Sequence, residues 1–190
     1  MYFPAVPLID VTIHYLELVS SSALLVRRAE RGGLVFARTP RPMPELNRFF
    51  YTAIGGDWFW LERRPWSLVQ WSEYLSSPQI ETWVLSADGI PAGYCEMQKH
   101  ANGYVELMYF GLLRAFVGGG LGAHLLTEAA ERAWALGATR VIVNTCNLDH
   151  PQALANYLAR GFREYRLDVQ RKEIPDAPPG PWDGALDPTS

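Results

Sequence analysis

Three successive glycines, Gly118, Gly119 and Gly120, are the residues of this sequence whose type and spacing most directly indicate a binding site. They precede a segment with an apolar residue at about every fourth position, which predicts an amphipathic helix that begins near Leu121. Glycines in front of a helix leave backbone N–H groups uncovered, and the helix dipole favours an anion at that end. The segment therefore predicts a phosphate or pyrophosphate site. The alternative is a tight turn between a strand and a helix that binds nothing.

Two common nucleotide-binding motifs can be compared with the glycine segment. Gly118-x-Gly120-x-x-Ala123 fits the dinucleotide fingerprint. However, the strand before it is predicted to close an antiparallel meander, and Asn144 stands where an acidic residue is expected. The P-loop fails because no Gly-Lys-Ser/Thr sequence follows. A dinucleotide-dependent enzyme is therefore disfavoured.

The elements around the glycine segment form a mixed α/β pattern. Asp-Gly and Asn-Gly pairs separate apolar runs at residues 82–86, 92–99 and 104–113, which predicts three antiparallel strands. The later elements alternate helix, strand, helix, strand, over residues 121–137, 140–146, 150–161 and 162–170. Earlier in the chain we predict one strand and two helices, at residues 11–18, 45–54 and 67–75. This order predicts a mixed sheet with helices packed on it.

Two of these segments resemble signatures of the GNAT superfamily of acyl-CoA-dependent N-acetyltransferases. Residues 117–122 are similar to the family's Arg/Gln-x-x-Gly-x-Gly/Ala signature, except that Val117 replaces the Arg or Gln. Residues 150–162 are similar to Asn-x-x-Ala-x-x-x-Tyr-x-x-x-Gly-Phe, except that His150 replaces the Asn. The resemblance implies the GNAT fold, in which an antiparallel meander precedes helix, strand, helix and strand, and two central strands splay apart.

The resemblance also implies where acetyl-CoA binds. The acetyl and pantetheine portions would be held by backbone groups of Phe110, Gly111 and Leu112. The pyrophosphate would lie against Val117, Gly118, Gly119, Gly120, Leu121 and Gly122. Further contacts with the pantetheine are expected from Asn144 and Asn147, which flank the end of the splayed strand. Because Val117 lacks the polar side chain of the signature, backbone amides would have to hold the anion.

Two residues occupy positions that carry the chemistry in members of this family. Glu106 would act as the general base, and by the two-residue period of a strand it shares a face with Met108 and Phe110. An apolar face would raise its pKa towards a useful range. The alternative is a solvent-facing or salt-bridged glutamate. Tyr157 would protonate the leaving thiolate, with a core tyrosine as the alternative.

The two histidines beside these segments have other expected roles. We interpret His150 as a cap of the last helix, and His124 as a solvated residue on the polar face of the helix after the glycines.

An aromatic-rich stretch at residues 49–74 occupies the place of the acceptor pocket in the GNAT fold. Phe50, Trp58 and Trp60 are the predicted contacts with the acceptor. Aromatic rings can hold an apolar or cationic amine by burial or cation–π contact. The alternative is packing in the core. The acceptor is expected to be a primary amine on a small molecule or a peptide.

Composition limits the remaining possibilities. The 190 residues suit one domain, predicted at 1–174, with a Pro/Gly-rich tail at 175–190 that Trp182 is expected to anchor. A net charge of −3 without a basic block argues against nucleic-acid binding. The start, Met1 to Pro4, does not resemble a signal peptide, and no apolar run is long enough for a membrane span. Two distant cysteines predict a cytoplasmic protein without a metal site.

The sequence as a whole predicts a cytoplasmic N-acetyltransferase that transfers acetyl from acetyl-CoA to a primary amine by direct attack. Neither cysteine has a histidine-paired arrangement that would suggest a covalent intermediate. The alternative is a non-catalytic acyl-CoA or nucleotide-binding module on the same fold, and Val117 and His150 keep that alternative open. The resemblance also implies a possible homodimer.

Overall fold

The computed structural model describes residues 7–185, which contain seven strands and four α-helices. The strands are β1 (Leu8–Leu18), β2 (Leu34–Arg38), β3 (Ile80–Ala87), β4 (Ile90–Lys99), β5 (Tyr104–Leu112), β6 (Arg140–Cys146) and β7 (Arg163–Glu173). The helices are α1 (Pro44–Gly55), α2 (Leu68–Leu75), α3 (Leu121–Ala135) and α4 (Ala153–Ala159). The predicted mixed α/β class is confirmed. The segment from Met1 to Pro4 and the last five residues lie outside the described part of the chain.

All seven strands form one sheet in the order β2-β3-β4-β5-β6-β1-β7. The predicted meander of β3, β4 and β5 is confirmed, since each pair in it is antiparallel. The one parallel pair, β5 with β6, runs only from Tyr104 opposite Arg140 to Glu106 opposite Ile142. Beyond Glu106 the two strands separate and leave a gap in the middle of the sheet, as the resemblance implied.

The position of β1 was not predicted. This strand lies between β6 and β7 and pairs antiparallel with both, over residues 13–18 and 8–17 respectively. Glu17 is 5% exposed and binds both neighbours, with contacts of 3.1 Å to Arg140 and 2.9 Å to Arg163. A buried carboxylate between two guanidinium groups holds the inserted strand in register.

Helices cover both faces of the sheet, and each face has its own core. On one face, Leu125, Leu126 and the alanines of α3 pack against β4, β5 and β6. On the other face, aromatic residues of α1 and α2, including Tyr51 and Trp71, pack against β3 and Tyr109 of β5. The gap between β5 and β6 is therefore flanked by helices on both faces.

A bulge in β5 changes which residues share a face. The pairing shifts so that Glu96 lies opposite Tyr109 while Met97 lies opposite Leu107, which leaves Met108 as the extra residue. Because a bulge reverses the alternation of side chains, Phe110 packs on the α3 face with Leu107. Glu106 and Tyr109 lie on the α1–α2 face. The prediction that Glu106 and Phe110 share a face is wrong for this reason.

The ends of the helices follow their sequence signals. Ser67 and Gln70 form a reciprocal capping box at the start of α2, which confirms the predicted N-cap. No helix within residues 7–185 combines the length and apolarity that a bilayer crossing requires. His124 of α3, predicted to be solvated, is instead 8% exposed, and its Nδ1 has no hydrogen-bond partner among residues 7–185. Burial lowers the pKa of His124, so the neutral ring is favoured.

Candidate active-site cleft

The glycine segment lies at the wide end of the gap, directly before α3. Gly118, Gly119 and Gly120 have φ values of 99°, 58° and 79°, a region that side chains other than glycine rarely adopt. A Cβ atom at any of the three would meet no atom of the described residues within 4 Å. The need for glycine here therefore comes from the backbone conformation and not from crowding.

This conformation leaves a cluster of backbone donors uncovered. The N–H groups of Gly119, Gly120, Gly122 and Ala123 find no acceptor within residues 7–185. The first bonds of the turn run from Leu121 to the Gly118 carbonyl and from His124 to the Gly120 carbonyl. Uncovered N–H groups at the positive end of a 15-residue helix favour an anion. The predicted phosphate-binding residues are therefore together at one surface.

Of the other residues predicted to contact acetyl-CoA, those of β5 border the gap, whereas Asn147 is directed away from it. Phe110, Gly111 and Leu112 lie on β5 beyond Glu106, so the backbone edge that faces the gap has no strand partner. Asn144 is exposed on β6. Asn147 does not point into the gap, because its side chain accepts from Thr12 N at 3.0 Å and donates to Asp10 O at 3.3 Å. The predicted contact of the Asn147 side chain with pantetheine is therefore replaced by hydrogen bonds to the backbone of β1.

Tyr157 of α4 lies on the α3 face of the gap. Its ring is 5% exposed and packs between Phe110, with a centroid separation of 6.0 Å, and Phe162 at 5.9 Å. No hydrogen bond to its hydroxyl occurs within residues 7–185, and burial raises its pKa above the ordinary value. The phenol is thus a protonated donor without a partner of its own.

Glu106 lies on the opposite face, at the last position where β5 and β6 still pair. Its Oε2 is 2.9 Å from Nε2 of His100 in the turn between β4 and β5. The carboxylate is therefore partly buried and paired, which is the salt-bridged alternative that the sequence left open. It nevertheless lies where the gap begins, on the side of α1 and α2.

The aromatic stretch divides into a core and a wall of the cleft. Phe50 is fully buried and stacks on Tyr94 at 4.9 Å, so its predicted contact with an acceptor is corrected to a core role. Trp60 packs on Tyr109 at 5.0 Å, and its Nε1 is 3.5 Å from Asp149. Trp58 lies edge-on to His150 at 5.0 Å. The segment between α1 and α2 thus reaches across the gap to β6 and α4.

A buried ion pair connects the segment between α1 and α2 to β4 of the sheet. Arg63 is 5% exposed and Glu96 is 1% exposed, and they meet at 2.7 Å. Glu96 also accepts hydrogen bonds from Tyr74 and Asn47, while the guanidinium lies 4.1 Å from the ring of Tyr74. The same guanidinium lies 4.4 Å from the ring of Tyr109. Arg63 therefore fixes the α1–α2 segment to the sheet beside the gap.

A cavity of about 410 Å³ lies between the wall and the glycine segment. Its lining is mostly apolar, with Asp57 and Arg114 as the charged members: Ala53, Ile54, Asp57, Trp58, Leu112, Arg114, Val117, His150 and Pro178. Arg114 donates to both carboxylate oxygens of Asp57. The cavity joins the predicted phosphate site to Trp58, one of the predicted acceptor contacts.

Sequence reasoning missed two residues of this region. Asp149 accepts from Thr145 Oγ1 at 2.7 Å and from Cys146 N at 3.0 Å, and so forms the turn after β6. Asn156 of α4 donates to the Gly122 carbonyl at 3.2 Å, which links α4 to the start of α3. A polar residue directly after a buried strand was the available signal for Asp149. No local pattern marks Asn156.

Metal binding and nucleophilic catalysis are the other kinds of chemistry that His, Cys, Asp and Glu side chains could provide. Within residues 7–185, no group of three His, Cys, Asp or Glu side chains is close enough to hold a metal ion. His150 Nδ1 accepts from Gln152 N at 3.0 Å in the turn before α4. The N-cap of α4 is Gln152, which makes no side-chain cap bond, so the prediction that His150 caps this helix is wrong. Both cysteines are free, and burial raises the pKa of each thiol. A thiolate nucleophile is therefore disfavoured at either position.

Comparison with known proteins agrees with this geometry. The model of the Acetyltransferase (GNAT) family matches residues 42–162. A GCN5-related N-acetyltransferase from Kribbella flavida has a TM-score of 0.60 and 21% identity, covering 84% of this chain and 58% of that chain. One from Sphaerobacter thermophilus has a TM-score of 0.64 and 19% identity, covering 88% and 53%. The chain thus spans a little over half the length of these two proteins.

A third solved structure is similar over most of its own length. An aminoglycoside acetyltransferase from an uncultured soil metagenomic sample, in complex with trehalose, has a TM-score of 0.54 and 13% identity. The match covers 67% of this chain and 87% of that one. At such identities the similarity concerns the fold alone. No curated protein matches the chain significantly.

Proposed function

Since the chain belongs to the Acetyltransferase (GNAT) family, we propose that it transfers an acetyl group from acetyl-CoA to a primary amine by direct attack. The observation that carries this proposal is the gap between β5 and β6, which opens onto the uncovered donors of the glycine segment. The proposal includes a small-molecule or peptide acceptor, a cytoplasmic location and a possible homodimer. It includes neither nucleic acid nor a membrane as a partner.

The residues around the gap fit acetyl-CoA. Gly119, Gly120 and Gly122 would donate N–H groups to the pyrophosphate, and the free edge of β5 would hold the pantetheine. Val117 offers no polar side chain, and the guanidinium of Arg114 in the same cavity is paired with Asp57, so the backbone donors would hold the pyrophosphate. When bound, acetyl-CoA supplies a thioester carbonyl that an amine can attack.

The chain's own groups supply the proton transfers. The attacking nitrogen must lose a proton, and Glu106 is the proposed acceptor because it lies at the apex of the gap on the α1–α2 side. The leaving sulfur must gain a proton, and the unpartnered hydroxyl of Tyr157 is the proposed donor on the other side. Glu106 would thus remove a proton from the amine on one side of the gap, and Tyr157 would give a proton to the leaving thiolate on the other.

Calorimetry with acetyl-CoA, CoA and NAD at one salt concentration, followed by an acetylation screen of primary amines, tests the proposal. We expect acetyl-CoA to bind, NAD not to bind, and at least one amine to be acetylated. Acetyl-CoA binding without any turnover would support the alternative, a non-catalytic acyl-CoA-binding module. The pairing of Glu106 with His100 is the observation that favours this alternative.

Glu106→Gln tests the proposed base. We expect kcat/KM to fall by roughly 10²–10⁴-fold, because general base catalysis contributes about that much. The affinity for acetyl-CoA should stay unchanged, since Glu106 lies away from the glycine segment. His100→Ala is the matched control, because it removes the hydrogen bond to Glu106 but leaves the carboxylate. If Glu106→Gln retains kcat/KM and its pH profile, Glu106 is not the base.

Tyr157→Phe tests the proposed proton donor. The change removes only the hydroxyl and keeps the ring between Phe110 and Phe162. We expect kcat to fall by about 10²-fold with little change in the dissociation constant of CoA. Tyr94→Phe is the control, because Tyr94 is also buried but lies in the core beside Phe50. Equal losses of kcat and CoA affinity in Tyr157→Phe would indicate a packing role instead.

A further inference from the structure

Residues 174–180, which we call the C-terminal strap, fold back over the segment between α1 and α2. At its start, Ile174 is 8% exposed and packs with Val11, Ile13 and Phe59. At its end, Gly180 N donates to the Gly56 carbonyl at 3.0 Å, and Arg64 Nη1 donates to the Gly180 carbonyl at 2.9 Å. The predicted anchor Trp182 is 66% exposed. The strap is therefore held by Ile174 and Gly180, not by Trp182.

The contact at Gly56 is close enough to require glycine. A Cβ atom on Gly56 would lie 2.4 Å from both the C and the O atom of Gly180. Gly56 itself has ordinary helical angles, φ −60° and ψ −27°, so a side chain is disfavoured there by its collision with the backbone of Gly180 and Pro181 and not by the conformation of residue 56. The backbone of the strap thus lies directly on the end of α1.

Between its two anchors, the strap reaches the cavity beside the glycine segment. Pro178 lines this cavity together with Asp57 and Trp58 of the α1–α2 segment. Both anchors of the strap contact that same segment, through Phe59 at one end and Gly56 and Arg64 at the other. None of these anchoring contacts involves the glycine segment. The strap consequently borders the side of the cavity that faces Trp58.

We propose that the strap is the outer wall of the amine-binding site and restricts it to primary amines with a compact apolar body. This inference rests on the proposed function. Pro178 supplies a rigid apolar surface in the same cavity of about 410 Å³ as Ile54 and Leu112. The carboxylate in that lining, Asp57, is already paired with Arg114, so the body of the amine would meet mainly apolar side chains. Large acceptors are excluded because the strap cannot retreat while Gly180 is bound to Gly56.

Gly56→Ala displaces the strap without touching the cavity lining. The added methyl group suits the helical angles of residue 56 but collides with the backbone of Gly180. Gly32→Ala is the matched control, because its Cβ would meet no atom within 4 Å. Pro178→Gly is the second variant, since it removes the ring from the wall while keeping both anchors. Limited proteolysis of the tail reports whether the strap has been released.

The probes are n-butylamine, 2-phenylethylamine and tryptamine, with both binding and acetylation measured. We expect Gly56→Ala and Pro178→Gly to shift the preference towards tryptamine over n-butylamine by about tenfold or more, the scale of a methylene misfit in an apolar pocket. The dissociation constant of acetyl-CoA should not change in either variant. Gly32→Ala should keep the amine preference of the wild type.

The outcomes separate the strap from the proposed function. If the wild type binds the amines but acetylates none, and binding still shifts towards tryptamine in the variants, the proposed function fails and the strap inference stands. If the wild type acetylates amines and neither variant shifts the preference, the strap inference fails alone. A change in acetyl-CoA affinity without a change in amine preference would also overturn it. If the wild type binds none of these three amines, the strap inference is overturned, whereas the proposed function is decided by the wider screen of primary amines.

Discussion

Gly120→Val is expected to weaken acetyl-CoA binding by at least about 30-fold. Gly120 is the N-cap of α3 with φ 79°, and a side chain in the left-handed region costs roughly 1–2 kcal/mol, more for a β-branched residue. The valine would also crowd the donors of Gly119 and Gly122, which have no acceptor within residues 7–185. Isothermal titration with acetyl-CoA measures the loss.

The control for this variant is Gly137→Val, at the other end of the same helix. Gly137 has φ 83°, and a Cβ there also meets no atom within 4 Å. Both variants should therefore lose similar stability in thermal unfolding, yet only Gly120→Val should lose its ligand. An equal loss of affinity in both would mean that α3 as a whole, and not the donor cluster, determines binding.

Arg63→Met is expected to destabilise the fold by about 3–5 kcal/mol, because it leaves Glu96 as a buried charge without its partner. Glu96 would keep hydrogen bonds from Tyr74 and Asn47, but these do not replace the positive charge. Chemical denaturation measures the change in the free energy of unfolding. The loss should be accompanied by weaker acceptor binding, since Arg63 supports the wall that carries Trp58 and Trp60.

Two further variants identify the cause of that loss. Arg63→Met combined with Glu96→Gln removes both charges and should recover a large part of the stability. Arg28→Met breaks the pairs with Glu128 and Glu131, in which the arginine side chain is 44% accessible, and should cost no more than about 1 kcal/mol. If the double variant is no more stable than Arg63→Met, the cost comes from lost aromatic packing and not from the unpaired carboxylate.

Much of this fold could be predicted from local patterns. The meander follows from turn residues between apolar runs, and α3 follows from its apolar stripe and the glycines before it. The position of β1 could not be predicted in this way, because a strand's neighbours are chosen by contacts far apart in sequence. The same limit explains why the role of Asn147 could not be predicted, since its side-chain amide forms hydrogen bonds with the distant backbone of β1.

The location of the candidate site could be predicted from the sequence, but the orientation of several of its side chains could not. The bulge at Met108 places Glu106 and Phe110 on opposite faces, and no residue type in the strand announces it. Phe50 was within reach of prediction, since Phe50, Tyr51 and Ile54 form the inward stripe of α1 while Phe49 lies outside it. The pair of Arg63 and Glu96 joins residues 33 positions apart, and only the folded sheet brings them together.

The insertion of β1 has a consequence for biosynthesis. Residues 8–18 leave the ribosome long before β6 and β7, yet those late strands are their neighbours in the sheet. Until residue 173 has emerged, β1 cannot complete its hydrogen bonding, whereas the meander can already pair. The nascent chain must therefore keep an unpaired strand from associating with the wrong edge. Contacts between such distant segments also slow folding, so closure of the sheet beside the gap should be the last event of the protein's assembly.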